Sequence, residues 1–157
     1  MAQVYPVAGS KIFIGAEVEG KGTVAESDFT DAVWVEIGGW ANAGALGDEQ
    51  QVGEQALINE NRMRKFKSIL NAGTMENQFV PMPNDPGQIA FREAINSCKP
   101  HQFKIEWGAG CTGGEVAEGM TDMFYGLALP GARSGGDATA AHLRSWSIAV
   151  DSNILES

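Results

Sequence analysis

Alternation of apolar and polar residues with a period of two dominates this sequence, and such alternation predicts half-buried β-strands. In the clearest example Phe103, Ile105 and Trp107 alternate with Lys104 and Glu106. Eight strands are predicted in all, at residues 11–17, 32–37, 54–59, 61–69, 75–82, 102–107, 121–129 and 143–151. With 20 glycines between many short runs, the chain is expected to be mainly β.

One segment, residues 85–100, has the helical period instead. Its predicted apolar face is formed by Phe91, Ala94, Ile95 and Cys98. Asp85 is the predicted N-cap, Gln88 stands where a capping box places its return contact, and Pro100 is expected to end the helix. A single amphipathic helix cannot bury its apolar stripe alone, so we expect it to flank the sheet.

The chain is predicted to be one domain spanning residues 1–157, with an N-terminal arm at 1–10 and a C-terminal tail at 152–157. Residues 38–53 are poorly patterned and are predicted to be a long loop. Two apolar residues in it, Trp40 and Leu46, are expected to be exposed between glycines. Two interpretations remain open: a disordered insertion, or an arm that becomes ordered against a neighbouring subunit.

The charge balance disfavours a protein that grips nucleic acid. Eleven Lys and Arg residues face twenty Asp and Glu residues, a net charge of −9. Phosphate binding needs a cationic surface. Four of the cations are nevertheless clustered within six residues: Arg62, Arg64, Lys65 and Lys67. A nucleic-acid stripe is one interpretation, and the favoured one is a strand whose cations pair with acids on neighbouring strands or subunits.

Catalytic and metal-binding motifs are not recognisable. The two histidines, His101 and His142, match no zinc spacing, and there is no GxSxG element. The glycine-rich run at 108–114 is neither GxGxxG nor a Walker A loop. We therefore expect a protein that is not an enzyme and takes no metal or cofactor. Cys98 is expected to be a buried thiol, although a disulfide with Cys111 stays open.

The N-terminus has no signal-peptide pattern, and no apolar run is long enough to span a membrane. Synthesis in a reducing cytoplasm is the corresponding expectation.

Several short segments, taken in order, resemble one protein family. They are GSKIFIG at 9–15, WVEIGGW at 34–40, NAGT at 71–74, DPGQ at 85–88 and MFYGLALPG at 123–131. In this order, with a basic strand before NAGT, the chain resembles the tail tube protein, or major tail protein, of long-tailed non-contractile bacteriophages. The resemblance covers most of the chain.

This resemblance implies a sandwich or barrel-like fold of two packed antiparallel sheets with one flanking helix. It further implies hexameric rings that stack into a tube, with tail-tip or baseplate and tail terminator proteins as partners. DNA would pass through the lumen without specific binding. The protein would be made in the host bacterial cytoplasm and would reside in the tail of the virion. By the same analogy, the loop at 38–53 would reach the next ring together with the arm at 1–10.

The residues expected at inter-subunit contacts lie in the loop and in the basic strand. They are Trp40, Leu46, Asp48, Glu49, Arg62, Arg64, Lys65 and Lys67. Two alternatives stay open. One is a secretion-system or baseplate ring protein of the same superfamily. The other is a soluble β-sandwich binding module, for example a carbohydrate binder that uses Trp34, Trp40, Trp107 or Trp146.

Overall fold

The computed structural model of the protein describes residues 6–108, 111–112, 115–116 and 119–156. Thirteen strands occur in this part of the chain. They are β1 Lys11–Glu17, β2 Val35–Ile37, β3 Trp40–Asn42, β4 Glu49–Gln55, β5 Arg64–Asn71, β6 Thr74–Phe79, β7 His101–Glu106, β8 Cys111–Thr112, β9 Glu115–Val116, β10 Thr121–Leu129, β11 Arg133–Ser134, β12 Leu143–Val150 and β13 Leu155–Glu156. The helix α1 spans Pro86–Ile95, and a 3₁₀ turn spans Glu26–Phe29.

Nine strands form one curled sheet. Its main path runs β2-β1-β7-β10-β12-β6-β3, with β11 added to β12 and β13 added to β10, and the pairings are antiparallel. β2 and β3 lie at opposite ends of this path, yet only Gly38 and Gly39 separate them in the chain. The sheet must therefore curl until its two ends meet. The predicted mainly β, barrel-like class with one flanking helix is confirmed, and its two layers are parts of one continuous sheet.

Phe91 of α1 lies at the centre of the main core. Its ring stacks on Trp146 at a centroid distance of 4.7 Å and lies 6.3 Å from Phe79 and 6.2 Å from Phe103. Its fully buried companions are Ile12, Ile14, Ile37, Met75, Ile105, Phe124 and Ile148. Burial of one such side chain contributes roughly 1.5–3 kcal/mol. The helix therefore covers the sheet, as expected, and supplies the aromatic centre of the core.

The other face of the sheet has its own smaller cluster. Tyr125 points away from its neighbour Phe124, because successive strand residues face opposite sides. The ring of Tyr125 makes an edge contact with Phe29 at 5.3 Å, and Phe29 stacks on Trp34 at 6.1 Å. The segment between β1 and β2 therefore folds back over β10 and covers this face.

The start of α1 confirms the predicted cap and corrects the role of Gln88. Asp85 Oδ2 accepts hydrogen bonds from the backbone N–H groups of Gln88 (2.9 Å) and Gly38 (3.0 Å). The Gln88 side chain is buried and does not make the predicted return contact to the N-cap. Its Nε2 donates to Gly38 O (2.7 Å) and Val80 O (2.8 Å), and its Oε1 accepts from Met82 N (2.9 Å). It ties the helix to the glycine corner that joins β2 to β3.

The prediction of a buried Cys98 thiol was wrong. The helix ends at Ile95, three residues before Cys98, so that residue leaves the apolar face and is exposed. The Cys111 side chain, and with it the alternative of a disulfide, lies outside the described residues.

Residues 38–53 are not a structureless loop, and this prediction is corrected. Trp40–Asn42 forms β3 on β6, and Glu49 begins β4. β3 has only three residues, too few to display an alternating pattern. Trp40 is half-buried rather than exposed, because its ring packs near Trp107 at 6.1 Å and its Nε1 donates to Asn77 Oδ1 (3.2 Å). Leu46 packs against the main core.

Both predicted terminal segments contact the body where they are described. Ser10 Oγ accepts from Gly108 N (2.7 Å), while residues 1–5 of the arm lie outside the described part. In the tail, Ser152 Oγ accepts from Tyr125 N (2.9 Å), and Asn153 Oδ1 accepts from Val24 N. β13 then pairs with β10. The tail thus fixes the outer cluster in place, and residue 157 lies outside the described part.

Candidate assembly interface

β4 and β5 form a two-stranded hairpin that stands apart from the curled sheet. β4 and β5 pair with each other from Glu49↔Asn71 to Gln55↔Arg64, and with no other described strand. All residues of both strands are exposed except Gly53. Each strand therefore keeps one unpaired edge of backbone N–H and C=O groups, which is a template for pairing with another chain.

The hairpin carries a concentration of exposed apolar side chains. Of the thirteen large apolar residues exposed in the described part of the chain, seven lie between β4 and the end of β5. They are Val52, Leu57, Ile58, Met63, Phe66, Ile69 and Leu70. Among them Ile69 is 71% exposed and Phe66 is 54% exposed. Exposed apolar groups gathered in one projection mark a surface that another molecule covers.

Phe66 is held in position by a missing side chain on the opposite strand. Gly53 is its cross-strand partner, and a Cβ added at Gly53 would collide with the Phe66 ring. The absence of a side chain at Gly53 thus leaves the space that the Phe66 ring occupies over β4. The ring is still 54% exposed there.

Two of the four basic residues that were predicted to lie at inter-subunit contacts make ion pairs within the hairpin. Lys65 Nζ lies 3.8 Å from Glu54 Oε1 across the strands, and Arg64 Nη1 lies 3.5 Å from Glu60 Oε2. Such exposed pairs contribute about 0–1 kcal/mol each. Arg62 and Lys67 make no ion pair among the described residues. The favoured interpretation, cations paired with acids of a neighbouring strand, therefore holds for Lys65.

The other predicted contact residues divide into two groups. Asp48 and Glu49 are exposed at the base of the hairpin, where they line a cleft of about 390 Å³ between residues 45–49 and 71–74. Leu46 lines the same cleft but packs against the main core, and Trp40 packs against the body. The structure therefore brings the acidic pair and the basic strand together on one hairpin, and leaves the Trp and Leu at its foot.

Sequence reasoning missed most of the apolar residues of this surface, such as Ile58, Ile69 and Leu70. One signal was available in the sequence. Apolar residues occupy both odd and even positions of this strand, so neither of its faces is purely polar. Fully buried strands show the same pattern. Only the tertiary structure shows that nothing within the described chain covers it.

The four tryptophans of the binding-module alternative do not form a joint platform. Trp146 is buried in the core, and Trp34 stacks on Phe29 on the outer face. Trp107 is half-buried and donates its Nε1 to Asp122 Oδ2 (2.7 Å). Within the described residues no group of three or more His, Cys, Asp or Glu side chains could hold a metal ion. No described helix has the length and apolarity needed to cross a membrane.

Comparison with known proteins identifies the fold. No family profile matches the sequence, and no curated protein matches it. Several solved structures do. A chain of the anti-feeding prophage (AFP) baseplate has a TM-score of 0.67 at 12% identity, covering 99% of this chain and 97% of that one.

A second similar chain belongs to the PVC sheath–tube complex of an extracellular contractile injection system. Its TM-score is 0.63 at 13% identity, with 98% and 91% of the two chains covered. A third is the SPP1 tail tube, with a TM-score of 0.53 at 16% identity and 97% and 79% coverage. At these identities the similarity establishes the fold alone, and that fold is the tail tube fold.

Proposed function

We propose that the chain is a structural subunit of a bacteriophage tail tube, of the long-tailed non-contractile kind that its sequence segments resemble. Six copies would form a ring, and the rings would stack into the conduit through which DNA is ejected. The role is structural and non-enzymatic, and it needs no cofactor or metal. The protein would be made in the host cytoplasm and end in the tail of the virion.

The observation that carries the proposal is the exposed β4–β5 hairpin on a tail tube fold. A two-stranded hairpin is marginally stable by itself in water. One that also exposes Val52, Phe66, Ile69 and Leu70 needs a cover, which a second copy can supply by packing on its face or pairing with its edge. Copies that repeat this contact around a closed ring leave no free edge.

The net charge of −9 supports a conduit rather than a DNA-binding role. A negative lumen repels the phosphate backbone, so DNA slides without being held. Proteins that cap the two ends of the tube, a tail tip or baseplate and a terminator, are the expected partners.

A specific observation favours a second candidate within the same architecture. The AFP and PVC structures have higher TM-scores, 0.67 and 0.63, than the SPP1 tail tube, 0.53. The first of these structures is the AFP baseplate, and the second is the PVC sheath–tube complex of an extracellular contractile injection system. The chain would then be a tube or baseplate ring subunit inside a contractile sheath. The sequence segments favour the non-contractile tail, so sheath binding is the discriminating property.

Negative-stain electron microscopy of the purified protein across a concentration series tests the proposal. We expect hollow tubes or stacked rings of uniform width, with six-fold symmetry in end-on class averages. A sheath protein from a contractile system, added to these tubes, should not decorate them if the tail is non-contractile. A protein that stays monomeric even when seeded with tube ends would contradict the proposal and favour the binding module.

A further inference from the structure

A pocket of about 300 Å³ lies beside the helix, on a different part of the body from the hairpin. Arg92 of α1, Arg133 of β11 and Arg144 of β12 line it together with His142. Its apolar wall includes Pro81 and Trp146. Three of the eleven Lys and Arg residues of a strongly acidic chain thus meet in one small cavity.

The three arginines have no acidic partner in the described chain. Arg133 and Arg144 are direct cross-strand partners in the β11–β12 pairing. Like charges in that position destabilise a sheet unless something neutralises them. None of the ion pairs formed by described residues includes Arg92, Arg133 or Arg144. The only described hydrogen bond of these guanidinium groups is from Arg92 Nη2 to Pro83 O at 3.4 Å.

Two residues that line this pocket carry a buried donor without an acceptor. Arg144 Nε and Trp146 Nε1 are both buried and unpartnered, and together they are two of the three such side-chain atoms in the described chain. Trp146 is only 1% exposed, and the Arg144 guanidinium carbon lies 5.2 Å from its ring. Burial lowers the pKa of Arg144, and the charges of Arg133 and Arg92 lower it further. Unpaired buried donors are rare in native proteins, so an acceptor from outside is expected here.

The ligand that fits is a carboxylate. A guanidinium fork pairs with a carboxylate through two parallel hydrogen bonds, and the stacking of Arg144 on Trp146 holds that fork in one orientation. Carboxylates are also what this chain has in excess, because twenty acids face eleven Lys and Arg residues. The five ion pairs among described residues engage only five acids. DNA phosphate is the competing anion, and the net negative charge of the subunit opposes it.

We propose that this arginine pocket receives an Asp or Glu side chain of a second copy of the chain in the assembled tube. The inference rests on the proposed self-assembly and adds a second, electrostatic contact to the apolar hairpin. It also explains how a subunit of net charge −9 packs closely against copies of itself. Each copy neutralises one of its neighbour's cationic clusters with one of its own surplus acids.

The test compares Arg133→Glu with Lys11→Glu by sedimentation across a concentration series. Both positions are exposed, and both substitutions change the charge equally. In Arg133→Glu the new carboxylate can pair with Arg144 inside its own subunit, so we expect an unchanged or higher melting temperature. The concentration needed for assembly should rise about tenfold or more, because the pocket is already filled. Lys11→Glu should assemble within about twofold of the wild type.

A second measurement identifies the anion. The Arg144 Nε–H resonance is followed by NMR while glutarate, inorganic phosphate or a short DNA duplex is added to the wild-type protein. We expect glutarate to shift this resonance and to raise the assembly concentration, and DNA to do neither. Tight binding of DNA that Arg133→Glu abolishes would overturn the proposal in favour of a phosphate-backbone site.

The outcomes separate this inference from the proposed function. If Arg133→Glu forms tubes at the wild-type concentration, the pocket proposal is wrong and the tube subunit stands. If the wild type never assembles, with or without seeds, the proposed function fails and the second copy is excluded as the ligand. A shift of Arg144 Nε with phosphate alone, at equal concentration, would indicate an adventitious anion site and also overturn the proposal.

Discussion

The curled sheet and the β4–β5 hairpin are built from strands of similar length and yet treat their apolar residues in opposite ways. On β7 and β12, Phe103, Ile105 and Ile148 are completely buried. On β5, Phe66, Ile69 and Leu70 are more than half exposed. β7 and β12 each have paired strands on both sides, and the main core lies over the face that holds these residues. A strand of the hairpin has one paired neighbour, and no described residue covers it.

This difference separates two kinds of stability in one chain. Burial within the body stabilises the monomer, since its apolar surface leaves water when the chain folds. The apolar surface of the hairpin leaves water only when another molecule arrives. Substitutions in the body should therefore change unfolding, and substitutions in the hairpin should change assembly.

Removal of the hairpin should separate folding from assembly most clearly. Glu49 and Asn71 are cross-strand partners, so residues 50–70 can be replaced by an Asn-Gly turn without stretching the chain. We expect the body to keep its melting temperature and tube formation to be lost. Circular dichroism and electron microscopy on one preparation measure both. Tubes from the shortened chain would remove the hairpin from the assembly mechanism.

Phe91→Ala and Phe66→Ala remove the same side chain from the core of the body and from the exposed hairpin. Phe91→Ala should reduce the free energy of unfolding by about 3–5 kcal/mol, because its ring is enclosed by Trp146, Phe79 and Phe103. Phe66→Ala should reduce it by about 0.5 kcal/mol or less while weakening assembly. Urea unfolding of dilute protein gives both values. Equal losses would show that the hairpin contributes to the body.

Gln88→Leu and Gln55→Leu remove the same polar group from the body, where it is buried, and from the hairpin, where it is exposed. Gln88→Leu should cost about 1–3 kcal/mol, because Gly38 O, Val80 O and Met82 N lose their partner at the corner that closes the sheet. Gln55 on the hairpin donates only to Ala56 O and is exposed, so Gln55→Leu should stay within about 0.5 kcal/mol. The same unfolding experiment decides, and a neutral Gln88→Leu would contradict the tie between helix and corner.

Substitution of both Arg64 and Lys65 by Glu tests whether the charges of the hairpin act in folding or in assembly. Both ion pairs are exposed, so we expect the free energy of unfolding to fall by less than about 1 kcal/mol. The assembly concentration should rise, with a dependence on salt, if these cations face acids of a neighbour. Sedimentation at two salt concentrations checks this. If unfolding changes and assembly does not, the cations serve the hairpin alone.

The smallest effect is expected at Asp28, on the outer cover of the body. The hydrogen bond from Ala25 N, and then the one from Lys21, lower the pKa of Asp28 below its ordinary value of 3.8. A lowered folded pKa stabilises the fold above pH ~4, and this contribution is lost as the pH falls through the folded pKa. Asp28→Asn should therefore be slightly less stable than the wild type near neutral pH. The difference should vanish in acid, as thermal melts across pH can show.

Local chemistry made several elements readable in advance. Asp85 and Pro86 can start a helix in any context where the following residues favour it, and Asp85 does cap α1. β10 has the predicted bounds Thr121–Leu129, because its short apolar run and the Pro-Gly that follows need no information from elsewhere. The basic and acidic residues of the candidate interface were also found, since charge is visible in the sequence.

Long-range partners decided the rest. The polar side chain of Gln88 is buried, because three backbone groups from two other segments form hydrogen bonds with it. Trp40–Asn42 is a strand only because β6 offers it an edge. Arg92, Arg133 and Arg144 are 52 residues apart from first to last and meet only in the folded chain.

Strand patterns, many glycines and one capped helix were enough to predict the type of the fold. Which apolar residues remain uncovered became visible only in the folded chain. A sequence pattern records how residues alternate along a strand, and it does not record what packs against them. β5 and β12 each contain both apolar and polar residues. β12 lies inside the curled sheet and buries its apolar residues, whereas β5 lies in the separate hairpin and leaves them exposed.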